Sequence, residues 1–170
     1  MKLYTQFYMG QGGEAGTSTG IIALADAARQ LGIQVDLFDG VDITHGYPAA
    51  WKQQQAGYAL AAIGYSEGCG DVGWIEQRLA MKFCALIDPS RDCINYKLRP
   101  ENCPDSILFH NNNWLARWTG VGAAGEASDP GGDLGCRTRY EYNENHLVMD
   151  LDTTIHGIIE NRLANLVRAA

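Results

Sequence analysis

Hydrophobic positions along this chain switch repeatedly between two periods. Residues 3–9 are apolar, aromatic and β-prone, and they run into the loop Gly10-Gln11-Gly12-Gly13-Glu14-Ala15-Gly16. Thr17-Ser18-Thr19 offer helix caps; Ile21, Ile22, Ala25, Ala28 and Leu31 then recur at helical spacing, and Gly32 supplies a stop. Residues 34–38 read as a short second strand, and His45-Gly46-Tyr47-Pro48 turns into a short polar helix around Trp51-Lys52-Gln53-Gln54-Gln55. A third strand is predicted over 58–63. Val72, Ile75, Leu79 and Phe83 trace one face of a following helix. The apolar stretch Phe83-Cys84-Ala85-Leu86-Ile87 reads as a strand that stops at Asp88-Pro89, and residues 93–98 and 106–110 read as two more. Residues 111–143, rich in Gly, Asn, Asp and Trp, carry no assignable pattern. At the end, Asp152 is placed to cap a helix whose Ile155, Ile158, Ile159, Leu163 and Leu166 form an apolar stripe.

Strand–helix–strand units with apolar strands imply a mostly parallel sheet covered on both faces, a three-layer α/β/α sandwich. With 170 residues, 46% of them hydrophobic, and no repeat, linker or low-complexity tail, residues 1–170 are expected to form one domain. The net charge is −7 and no Lys/Arg cluster stands out, which argues against nucleic acid and anionic membrane as partners. The first eight residues lack the apolar core and cleavage site of a signal peptide. No apolar run approaches transmembrane length, so a cytoplasmic location is expected. The five cysteines are odd in number and form no C-x-x-C pair, which argues against zinc. Cys69 and Cys84 read as small core residues, and a Cys93–Cys103 disulfide is disfavoured by the cytoplasmic reading. Of Trp51, Trp74, Trp114 and Trp118, most are expected in the core. Composition leaves the oligomeric state open.

The chemistry concentrates where the third strand ends, at Gly64-Tyr65-Ser66-Glu67-Gly68. A buried strand turning sharply into a helix needs small residues at 64 and 68, because the turn crowds the backbone. Ser66 is thereby pushed out at the carboxyl end of the sheet, with the N–H of Glu67 at the helix start. Ligands of such sheets sit beyond the carboxyl ends of the strands. Asp88 ends the next strand, one helix and one strand later, on the same rim. Asp105, Asp129 and Asp133 are alternative acids. Among the histidines, His146 sits in a loop before the final helix, where it can reach back over the strand ends. His156 reads as a helix-surface residue, His110 precedes a turn-like Asn111-Asn112-Asn113, and His45 comes too early in the chain.

Four segments together resemble a small, lidless α/β-hydrolase of the serine esterase or thioesterase kind, about the size of a cutinase. They are Phe7-Tyr8-Met9-Gly10-Gln11-Gly12-Gly13, Gly64-Tyr65-Ser66-Glu67-Gly68, Leu86-Ile87-Asp88-Pro89, and His146-Leu147-Val148-Met149-Asp150 with the terminal helix. The order Ser, Asp, His is the one this family uses, and an acid one strand after the nucleophile resembles its thioesterase branch. The resemblance implies a minimal α/β-hydrolase fold and a Ser66-Asp88-His146 triad. It also implies an oxyanion site from the N–H of Glu67 and one of Gly10 or Gln11, and an acyl-serine intermediate formed with no metal or organic cofactor. The chain departs from full-size members in its length. It has no segment long enough for a lid unless residues 111–143 cover the site, and the early strands that precede the oxyanion loop are missing. An open site suggests large or polymeric acyl substrates.

Two other readings compete. Gly10-x-Gly12-Gly13-x-x-Gly16 after a strand is similar to the phosphate cradle of a flavodoxin- or Rossmann-like nucleotide- or flavin-binding module, with Asp36 or Asp39 as the ribose-binding acid. The absence of Gly-Lys-Ser/Thr excludes a P-loop. A catalytically silent hydrolase-fold binding protein is the third reading.

Overall fold

The computed structural model describes residues 1–10, 18–40, 44–113 and 132–169. In chain order it runs β1 (Leu3–Tyr8), α1 (Thr19–Gln30), β2 (Gln34–Phe38), α2 (Gly46–Gln55), β3 (Ala59–Tyr65), α3 (Gly68–Glu76) and β4 (Phe83–Ile87). A 3-10 helix (Arg91–Asn95), β5 (Ser106–Asn111), β6 (Thr138–Tyr142), a second 3-10 helix (His146–Leu151) and α4 (Thr153–Arg168) complete it. The strands form one sheet in the order β2-β1-β3-β4-β5-β6, and every pairing is parallel. Helices cover both faces, as the alternating pattern implied.

Strand alternation divides the core in two. Phe7, Ile63, Tyr65, Ile87 and Phe109 face α1 and α4, packing against Ile21, Leu24, Ile155, Ile159 and Leu163. Tyr4, Tyr8, Leu60, Ala62, Leu86 and Leu108 face α2 and α3, against Ala50, Val72 and Ile75. Each Val, Leu, Ile or Phe side chain among them, taken from water, contributes about 1.5–3 kcal/mol. Three polar side chains of β1 form a chain of hydrogen bonds: Tyr8 donates to Gln6 (2.8 Å), Gln6 to Tyr4 (3.1 Å), and Tyr4 to Asp36 on β2 (2.5 Å).

Topology sets where a ligand can sit. The chain places β2 outside β1, then returns past β1 to lay β3 on its other side and grows outward to β6. The helix after β1 lies on one face and the helix after β3 on the other. The carboxyl ends of these neighbours therefore open a crevice between diverging helices, the switch point of a doubly wound sheet.

Three expectations differ from the structure. Phe83 begins β4, and α3 ends at Glu76; a single apolar residue four positions after Leu79 satisfies both periods, and the run of buried residues that follows it decides for the strand. Residues 93–98 form no strand. Both edges of β4 are taken by β3 and β5, so the segment closes on itself instead, with Cys93 N–H bonded to Ser90 O (3.0 Å) and Tyr96 N–H to Cys93 O (2.9 Å). The unassigned stretch contains β6, an edge strand of half-buried residues with no apolar alternation to announce it. Residues 114–131 lie outside the described residues, as do Trp114, Trp118 and Asp129. Trp51 is half exposed and Trp74 is only partly buried, under Arg78, so neither fills the core interior.

Candidate active site

Ser66 stands at the tip of an abrupt strand-to-helix turn. Its φ is 54°, a conformation that costs an L-residue about 1–2 kcal/mol. A Cβ on Gly64 would lie 2.5 Å from the carbonyl oxygen of Gly68, and one on Gly68 would lie 2.5 Å from that of Tyr8. Both glycines are thus required for α3 to fold back against β3 and β1. The turn is pinned by backbone bonds: Ser66 N–H donates to Ile87 O (3.0 Å), while Ser66 O accepts from Cys69 N–H and Ser90 N–H, both at 3.2 Å.

Asp88 leaves β4 in the same left-handed conformation, with φ of 41°, and is fully buried. Register places the ends of β3 and β4 level, Tyr65 opposite Ile87. His146 opens the second 3-10 helix and is 8% exposed. Its Nδ1 lies 2.7 Å from Asp88 Oδ2 and its Nε2 lies 3.0 Å from Ser66 Oγ. The three side chains named from the sequence therefore form one continuous hydrogen-bonded relay. Such a relay can draw a proton from a serine hydroxyl and hold the resulting imidazolium beside a carboxylate.

The supporting residues were not visible in the sequence. The Tyr65 ring stacks on the His146 imidazole at 5.2 Å, and its hydroxyl donates to the His146 carbonyl. Asn111, read as part of a turn, instead ends β5 fully buried, and its Nδ2 donates to Asp88 Oδ2 (2.7 Å). Asp150 anchors the His146 helix. Its Oδ2 accepts from the N–H groups of Gly20 (2.8 Å) and Ile21 (3.3 Å), capping α1 from 130 residues away. Burial holds the Asp150 carboxyl above its ordinary range despite these two donors. Ser18, expected as a cap, makes no cap bond; its Oγ accepts from Gly10 N–H (2.9 Å).

Gly10 lies against the serine turn: a Cβ there would be 3.0 Å from Ser66 Cβ. With its N–H given to Ser18, Gly10 has none to offer a ligand, and Gln11 lies outside the described residues. Glu67 precedes α3, where N–H groups have no intrahelical acceptor. Next to it a cavity of about 240 Å³ opens on the α3 side, lined by Gly40, Glu67, Asp71, Ser90, Cys93 and Tyr96 among others.

The remaining candidates lie elsewhere. His45 precedes α2, and His156 on α4 reaches the Asp150 carbonyl (2.5 Å). His110, one residue before the end of β5, has Nδ1 2.9 Å from Glu141 Oε2. Asp105 sits at the opposite end of the sheet, before β5, and pairs with Arg162 at 3.4 Å; Asp133 accepts from Gly135 N–H. Asp36 lies mid-strand and is committed to Tyr4, while Gly12, Gly13 and Gly16 fall outside the described residues. All five cysteines are free and buried. Burial pushes the thiols of Cys69, Cys84 and Cys136 well up and that of Cys93 to about 11, which makes them poor nucleophiles. Among the described residues, no three His, Cys, Asp or Glu side chains are grouped as metal ligands, and no helix is long and apolar enough to cross a membrane.

No protein-family model matches the sequence, and neither does any curated protein. Solved structures do match. A protein from Xanthomonas campestris pv. campestris assigned to the α/β hydrolase superfamily superposes with a TM-score of 0.66 at 13% identity, over 99% of this chain and 100% of that one. An esterase from Pyrobaculum calidifontis gives 0.62 at 13% identity, over 98% and 77%. The thioesterase of the prodiginine biosynthetic pathway in Streptomyces coelicolor gives 0.57 at 12% identity, over 94% and 90%. The chain has the α/β-hydrolase fold.

Proposed function

We propose that this protein is a serine hydrolase that cleaves a carboxylic ester, thioester or amide through an acyl-serine intermediate. The observation that carries the reading is the relay Ser66 Oγ–His146 Nε2 (3.0 Å) and His146 Nδ1–Asp88 Oδ2 (2.7 Å) at the switch point of the sheet. His146 takes the Ser66 proton as Oγ attacks the carbonyl carbon. Asp88 holds the tautomer that exposes Nε2 and stabilises the imidazolium. The Glu67 N–H, at the start of α3, donates to the oxyanion, while the Gly10 N–H is occupied by Ser18.

Collapse of the tetrahedral adduct passes the proton from His146 to the leaving alcohol, thiol or amine. Water, deprotonated by His146, then attacks the acyl-serine, and the carboxylic acid departs. Protons and acyl group balance without a metal or organic cofactor. The cavity beside Glu67 receives the part of the substrate next to the reacting carbonyl, and its polar walls suit a polar portion better than a long alkyl chain. An ester- and a thioester-cleaving protein among the similar folds support those two bond types.

The test is labelling by a fluorophosphonate probe. Wild type is expected to label, Ser66→Ala to lose labelling entirely, and Asp88→Asn and His146→Ala to slow it by about 10⁴-fold. A folded wild-type protein that stays unlabelled would sink the reading.

A further inference from the structure

The relay is held by a residue outside it. We infer that Asn111 is a positioning residue that clamps the carboxylate of Asp88 and the loop carrying His146 into one unit; the inference rests on the hydrolase reading for its catalytic meaning. Asn111 is fully buried at the last position of β5, opposite Tyr142 on β6 and one strand away from Asp88. Its Nδ2 serves two acceptors: Asp88 Oδ2 at 2.7 Å and the carbonyl of Glu144, two residues before His146, at 3.0 Å. Its Oδ1 accepts the N–H of Asn113 at 2.9 Å.

The geometry fixes which way the amide faces. Both Nδ2 protons are used, and a flipped amide would turn Oδ1 toward a carboxylate oxygen and a carbonyl oxygen, with no donor between them. The bonded oxygen of Asp88 is the same one that receives His146 Nδ1. Asn111 thus prevents that oxygen from rotating away. The bond to Glu144 carries the constraint to the backbone that sets the height of His146. Tyr65, stacked on the imidazole and bonded to the His146 carbonyl, holds the other side. Neither Asn111 nor Tyr65 reaches Ser66 Oγ through any hydrogen bond of the described residues.

Two variants separate a clamp from a packing role. Asn111→Ala removes side chain and donor, whereas Asn111→Leu keeps about the same volume and removes the donor. On an ester that wild type hydrolyses, both are expected to lower kcat about tenfold or more, as loss of a hydrogen bond to a charged group entails, with KM changed less than about twofold because no substrate contact is lost. Asn111→Leu at the wild-type kcat would overturn the clamp.

A second readout needs no substrate. Proton NMR should show the His146 Nδ1 proton as a sharp downfield resonance in wild type, assigned by its loss in His146→Gln, and broadened or shifted in both Asn111 variants. The Asn111 side-chain amide of wild type should also exchange slowly with water. An unchanged resonance in the variants, no such resonance in wild type, or a fast-exchanging amide would each overturn the inference even if a variant failed to fold. Absence of fluorophosphonate labelling with these signatures present would instead remove the hydrolase reading and leave the clamp standing.

Discussion

Ser66 and Asp88 share an uncommon backbone conformation. Both are non-glycine residues in the left-handed region, at the ends of adjacent strands, and both are almost wholly buried. Residues held this way cost about 1–3 kcal/mol each and persist only where their surroundings over-determine them. At Ser66 the surroundings are the ladder bond to Ile87 and the three contacts on its carbonyl from Cys69, Ser90 and the Cys93 thiol. The strain gives a prediction free of any substrate. Ser66→Ala keeps the strained φ, while Ser66→Gly releases it and adds some unfolded-state entropy. Ser66→Gly is therefore expected to be the more stable of the two, by up to about 1 kcal/mol. Urea unfolding of the pair decides it, and an Ala variant at least as stable as Gly would mean that the turn stores no strain.

Among the elements, the approach of α3 to β3 carries the site. The N-terminus of α3 comes so near that Gly64 and Gly68 have no room for a methyl group. Gly64→Ala would push a Cβ against the backbone of Gly68, which cannot yield as a flexible side chain would. The expected result is a loss of about 1–3 kcal/mol in stability, together with slowed fluorophosphonate labelling, because Ser66 and the Glu67 N–H ride on the displaced turn. A variant with wild-type Tm and labelling rate would refute the crowding. This approach was legible in the sequence, since an apolar run ending in two glycines that flank a serine leaves few other geometries. The final helix was equally legible: Asp152 accepts from the N–H groups of Thr154 and Ile155, and Ile155, Ile159 and Leu163 are buried. Residues 93–98 form no strand although their side chains are β-prone, because both sides of the preceding strand β4 are already taken by β3 and β5.

Across the whole molecule, buried carboxylates shape the pH dependence of stability. Glu76 is fully buried, with Oε2 accepting from Arg99 N–H (2.9 Å) and Oε1 without a hydrogen-bond partner. Burial raises its pKa from 4.5 to about 7, against the lowering effect of the Arg99 hydrogen bond and charge. The folded state therefore holds a proton that the unfolded chain has released, so stability is greatest at low pH and falls as pH rises from about 4.5 to about 7. Asp150, also raised by burial, adds a slope of the same sign. Glu76→Gln keeps an acceptor for Arg99 and should flatten the curve of unfolding free energy over that window. An unchanged slope would place its source elsewhere.

The sequence by itself determined most of the elements, the parallel three-layer sandwich and the placement of Ser66, Asp88 and His146 at strand or loop ends. It could do so because local periodicity and turn chemistry are written in neighbouring residues, and because a doubly wound sheet brings its carboxyl ends to one rim whatever the details. The tertiary structure alone decided which groups support those ends. Asn111 reaches Asp88 because β5 lies beside β4, Asp150 caps α1 across 130 residues, and Ser18 takes the N–H of Gly10 instead of capping its own helix. These partners are chosen by strand order and helix docking, which place together side chains that no spacing along the chain relates.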